Sequence, residues 1–275
     1  MRITSENLDE TIELNNKIEK QVEEHIAYIE KRLIKWRSLP IEEQALEILK
    51  EHNLIEIPIP DENWGGAIRK FSNGTMVPII NTAQSRLYQY FIYWHEIYHL
   101  TENDEMMQHG EDYEISTEFD LKERRADYFA SQMIFGRHDL YDYFQSQKDT
   151  NFLVRIAHCM KSFKAPYKAV LIQLYQIAKK SNNDQLQEQI KLYFDKHWSI
   201  QDWSTIFQEN MLDDSLIKPS LITNLNSIKQ AIQQEIEQHP DVELYQDNIK
   251  VVEQWEARYK RVQKELKEHL NGELQ

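Results

Sequence analysis

His95-Glu96-Ile97-Tyr98-His99 is the part of this 275-residue chain most able to do chemistry. Two histidines four residues apart share one face of a helix, so both imidazoles can bind one divalent ion, and zinc suits the pair. Glu96 follows the first histidine, where a carboxylate can take a proton from a water activated by the metal. The preceding run Leu87-Tyr88-Gln89-Tyr90-Phe91-Ile92-Tyr93-Trp94 is strongly apolar. It predicts a helix held in the core, with its histidine face opening on a cleft.

A hydrolytic zinc site takes three protein ligands and leaves one position open. No histidine stands six residues after His99; position 105 is Glu. The next helical stretch offers Glu123 and Asp127, four apart and on one face. Glu123 would bind the ion, and Asp127 would accept the outer ring N–H of a ligating histidine and fix its tautomer. Both could instead be ordinary exposed acids in a chain that has 46. Glu102, Glu105 and His109 are rival ligands, with His109 ranked second to Glu123. Tyr113, His109 and Tyr88 are candidates to stabilise an oxyanion or touch substrate.

The elements around these residues can be read from pattern. Residues 54–81 are β-branched and broken by turn signals, which predicts three short strands. Asn73-Gly74 marks a hairpin. Pro78 argues that the third strand is an edge or bulged, and makes the proline-free stretch 67–71 the expected middle strand. A substrate strand would then add along Met76–Asn81. Helices are expected at 5–37, with Ser5 as cap, and from Pro40 to about 51. Further helices are expected at 83–101, 118–135, 151–164, 166–180, 184–196, 200–210, 219–238 and 241–270. Val22, Ile26, Ile29, Leu33 and Trp36 form one apolar stripe, and Ile249, Val252, Trp255, Tyr259, Val262 and Leu266 another. Packing on the body is the expectation for each; a dimer through these terminal helices is the alternative. The resulting fold class is α+β, a mostly helical zincin-like core with a small three-stranded sheet and a helical C-terminal region. Its divisions are 1–38, 39–138, 139–181 and 182–275.

Composition narrows the function. Six glycines, five of them between Gly65 and Gly136, disfavour an all-β sandwich or a fold with many glycine-rich turns. A net charge of −14 argues against general nucleic-acid or anionic-membrane binding. The lone Cys159, the absence of an apolar leader and the lack of a long apolar run suggest a cytoplasmic protein. Residues 155–180 hold six basic residues and no acid, so this stretch could meet DNA phosphates or an acidic protein; a partner protein is favoured.

Three strings carry a family resemblance: Trp64-Gly65-Gly66, His95-Glu96-Ile97-Tyr98-His99-Leu100, and Glu123-Arg124-Arg125-Ala126-Asp127-Tyr128-Phe129-Ala130. Over about residues 40–180 the chain resembles the ImmA/IrrE family of zinc metallopeptidases. The resemblance implies His95, His99 and Glu123 as ligands of one Zn²⁺, Glu96 as general base, and a helix-turn-helix-like pair near 139–181. It also implies a DNA-binding repressor of a mobile element or stress regulon as substrate. Tyr98 stands where the family often has Gly, and Met133-Ile134-Phe135-Gly136 replaces Leu-Leu-Met-Pro; neither departure touches a ligand position. A regulatory binder that holds a repressor or toxin without cutting it is the alternative, and a scaffold with an unused site is a third reading.

Overall fold

The computed structural model describes residues 3–102, 118–136, 139–149 and 151–273. Among them are eleven α-helices and one three-stranded sheet. The order begins α1 (Leu8–Arg32), a 3-10 turn (Leu33–Trp36), α2 (Ile41–Glu51), β1 (Ile55–Ile57), β2 (Gly66–Lys70), β3 (Met76–Asn81) and α3 (Arg86–Thr101). It continues with α4 (Glu118–Phe135), α5 (Asp139–Ser146), α6 (Phe152–Phe163), α7 (Tyr167–Lys180), α8 (Asp184–Phe194) and α9 (Ile200–Glu209). It closes with α10 (Leu225–Gln238) and α11 (Glu243–Glu273).

α3 is the axis of the fold. Ser85 caps its start by accepting from the Tyr88 N–H at 3.3 Å. Apolar residues surround it on nearly every side, and Trp94 and Ile97 are fully buried. α2 and α4 pack beside it, the sheet lies along it, and α1 lies across α4. Val22, Ile29 and Leu33 of the N-terminal stripe are buried, so that stripe packs on the body as expected. Ser5 does not cap α1. Its N–H and hydroxyl go to Asp195, and Asn7 occupies the cap position.

The sheet order is β1-β3-β2, with β3 parallel to β1 and antiparallel to β2. This corrects the expected order: β3 is the middle strand and β2 the edge. Pro78 is tolerated for a local reason. The Asn81 N–H donates to Gly65 O and the Phe71 N–H to Thr75 O, each at 2.8 Å. Hydrogen-bonded pairs alternate along an antiparallel ladder. Pro78, opposite Ile68, therefore falls in a pair without ladder bonds, and its nitrogen turns away from β2. On the other side β1 pairs only from Ile79 onward, so the missing N–H lies just before the start of β1. Gly74, at φ 85°, closes the hairpin where Asn73-Gly74 predicts it.

Two further departures concern helices. α5 was not anticipated, although Leu140 and Phe144, four apart, are both 1% exposed. α10 starts at Leu225 rather than 219, because residues 218–224 run alongside the start of α3. Arg86 N–H donates to Lys218 O, Leu221 N–H to Thr82 O, Thr82 Oγ1 to Ile222 O and Ser220 Oγ to Gln89 Oε1. Asn224 clasps β1, donating to Leu54 O and accepting from the Glu56 N–H. α10 and α11 then cover the sheet face opposite α3 through Leu225 and Val252 against Ile57.

The basic run 155–180 is largely spent on the fold. Arg155 donates to Phe144 O at 2.9 Å, Lys168 lies over the Phe194 ring, Lys179 pairs with Asp9, and Lys180 with Glu19.

Candidate metal centre

One face of α3 carries Tyr88, Ile92, His95, Glu96 and His99, spaced by helical turns. α4 packs against that face and presents Glu123 and Asp127. The Glu123 carboxylate spans both imidazoles, with Oε2 3.2 Å from His95 Nε2 and Oε1 3.4 Å from His99 Nε2. The two Nε2 atoms stand 3.2 Å apart. Donors arranged tetrahedrally around an ion at about 2.0–2.1 Å lie about 3.3–3.4 Å from one another. His95, His99 and Glu123 therefore form a group able to hold one metal ion, and a His₂Glu donor set suits zinc.

The outer nitrogens face carboxylates. His95 Nδ1 meets Asp127 Oδ1 at 3.0 Å. Arg124 NH1 stands 3.6 Å from the other oxygen of Asp127. His99 Nδ1 faces Glu102 Oε1 at 3.6 Å. Glu102, a rival ligand by sequence, thus lies on the outer nitrogen of His99. Of the other sequence candidates, Glu105, His109 and Tyr113 lie outside the described residues.

The electrostatics favour cation binding. Burial opposes charge on His95, but Asp127 and then Glu123 outweigh it and push the ring up to about 10. The same contest, with Glu102 and Glu123, pushes His99 up to about 9. Hydrogen bonds to the two imidazoles hold Glu123 well below the usual carboxylate range. A divalent ion would replace the ring protons at the same nitrogens.

Glu96 is 3% exposed, and burial raises its carboxyl above the ordinary value against the pull of His95 and His99. It lies against β2. A β-carbon at Gly66 would stand 2.9 Å from Glu96 Oε1 and 3.0 Å from the Ile79 carbonyl oxygen. At Gly65 it would stand 2.9 Å from Ile92 Cδ1 and 3.0 Å from Tyr88 Cε1. The two glycines let the edge strand lie directly on the face of α3 that carries the site. Gly66 was singled out by sequence only as part of a family string; its contact with Glu96 is a long-range packing fact. Tyr88 is pushed up to about 12 by burial and by the charges of Asp127 and Glu96, so it stays a protonated donor.

A scan against family models matches residues 50–175 to the IrrE N-terminal-like domain, Peptidase M78. This stretch is similar to the M78 domain. The resemblance read from the three strings therefore holds, over a span close to that expected. The matched stretch contains β1–β3, α3 and α4, and so the whole candidate centre; α1 and everything beyond Tyr175 lie outside the match. Searches of curated proteins and of solved structures returned no match.

Proposed function

We propose that the chain is a zinc-dependent endopeptidase that cuts a small helix-turn-helix repressor in the cytoplasm and so derepresses mobile-element or stress genes. The observation that carries the peptidase reading is the convergence of His95, His99 and Glu123 beside the buried Glu96 in a stretch similar to the M78 domain. His95, His99 and Glu123 would hold the ion, whose chemistry is to activate water near neutral pH and polarise the scissile carbonyl. Glu96 takes the proton of the nucleophilic water on its carboxylate and delivers it to the leaving amine. Its raised affinity for protons suits that exchange. Asp127 keeps the His95 ring oriented with Nε2 toward the ion. Tyr88 can donate to the developing oxyanion.

An extended substrate would add along β2, not β3. The backbone groups of Gly66, Ile68 and Lys70 point away from β3, and among the described residues no strand pairs with that edge. The β2 edge begins at Gly66, against Glu96, so a peptide paired there runs past the reacting carboxylate. The buried Cys159 thiol and the absence, among the described residues, of a helix long and apolar enough to cross a membrane are compatible with the proposed compartment.

Glu96→Gln tests the reading. Cleavage of a co-encoded helix-turn-helix repressor should fall by about 10²–10⁴-fold while bound metal, measured by elemental analysis, stays at one per chain. Full derepression by that variant without cleavage would replace the peptidase with the non-cutting binder.

A further inference from the structure

α11 packs on α10 and the sheet by one side and leaves the other open. Leu244, Val251 and Trp255 on the open side are 64%, 42% and 47% exposed. At about 100° per residue, these three and Val262 fall within about 20° of one line along the helix. An exposed tryptophan within such a row is typical of a contact surface and costly to leave in water.

Charge along the same helix identifies the partner. From Glu243 to Glu256 there are four acids and one base; from Ala257 to Glu268 there are five bases and two acids. Glu253 and Glu256 already pair with Lys229 of α10. Glu243 and Asp247 lie on one flank of the apolar row, and Arg258 and Arg261 lie on that same flank. Neither arginine has an ion-pair partner among the described residues. When two copies of a helix meet antiparallel about a two-fold axis, each flank meets its own copy. A register that puts Val251 opposite Trp255 also puts Leu244 opposite Val262. The same register sets Asp247 within one residue of Arg258 and Glu243 within two residues of Arg261.

We propose that this face is a two-fold interface with a second copy of the chain, α11 lying antiparallel on α11. The self-complementary register of apolar and charged positions selects a second copy over a partner of different sequence. The surface is distinct from the candidate metal centre and does not depend on the peptidase reading.

Sedimentation equilibrium of the full chain tests it. The wild type should show a monomer–dimer equilibrium. Val251→Glu with Trp255→Glu should raise the dissociation constant by about tenfold or more, with the helical circular dichroism unchanged. Asp247→Arg and Arg258→Asp should each weaken the dimer, and the two combined should restore it. A monomeric wild type, a dimer indifferent to the 251/255 change, or a charge-swapped pair that fails to restore association would each overturn the proposal.

Discussion

Twelve of the sixteen residues of α3 are buried, whereas Val252 alone is buried among the described side chains of α11. α3 carries six Phe, Tyr or Trp residues in sixteen, and α11 three in thirty-one. Their polar partners differ as well. The histidines and Thr101 at the site end of α3 meet specific partners: Asp127 and Glu123 for His95, Glu102 and Glu123 for His99, and the Ile97 carbonyl for Thr101. α11 carries twelve charges from Glu243 to Glu268, and its ion pairs lie at short helical spacings or reach α10. Burying an unpaired charge is costly, whereas exposed pairs contribute little. A charge on α3 is therefore fixed in geometry by its surroundings, and a charge on α11 is available for something outside.

That contrast is breakable by substitution. Glu123→Ala should abolish stoichiometric metal binding, read by elemental analysis, while Glu265→Ala on α11 should leave it unchanged. Asp127→Ala should weaken metal affinity by about 10–100-fold, measured by competition with a chelator. It removes the acceptor on His95 Nδ1 without removing a ligand. Retained affinity in that variant would mean that the ring is oriented by packing alone.

The smallest expected effect is on stability against pH. In the metal-free protein His95 and His99 bind protons more tightly folded than unfolded. Their charged rings thus stabilise the fold fully below about pH 6.5, the ordinary imidazole value, and this contribution is lost as pH rises through about 9 and then about 10. Thermal melts of metal-free protein should show the midpoint falling over that window. The metal-loaded form, with the ion in place of the titrating Nε2 protons, should stay flat. Equal slopes would show that the acids around these rings do not set their charge.

The site was legible where helix geometry alone places side chains. His95 with His99, and Glu123 with Asp127, each stand one turn apart, and no tertiary knowledge is needed to put each pair on one face. That α3 and α4 would face each other was carried by the family strings. The strand order was not legible, because the acceptability of Pro78 depends on where β1 begins, which is a register between distant segments. The place of Glu102 was not legible for a similar reason. Its type and position made it a rival ligand, and the turn at the end of α3 sets it 3.6 Å from His99 Nδ1. The late start of α10 has its cause about 140 residues upstream, in Thr82 and Gln89.

Those same contacts impose an order in time. A chain grows from its N-terminus, and domains fold as their residues emerge. The matched residues are complete at 175, but the backbone partners of Thr82 and Arg86 and the clasp on β1 come from Lys218 to Asn224. During synthesis the start of the helix that bears His95 therefore remains without its strap until residues 218–224, well past the matched span, have been made. A nascent chain long enough to contain every proposed ligand still lacks part of the frame that positions them.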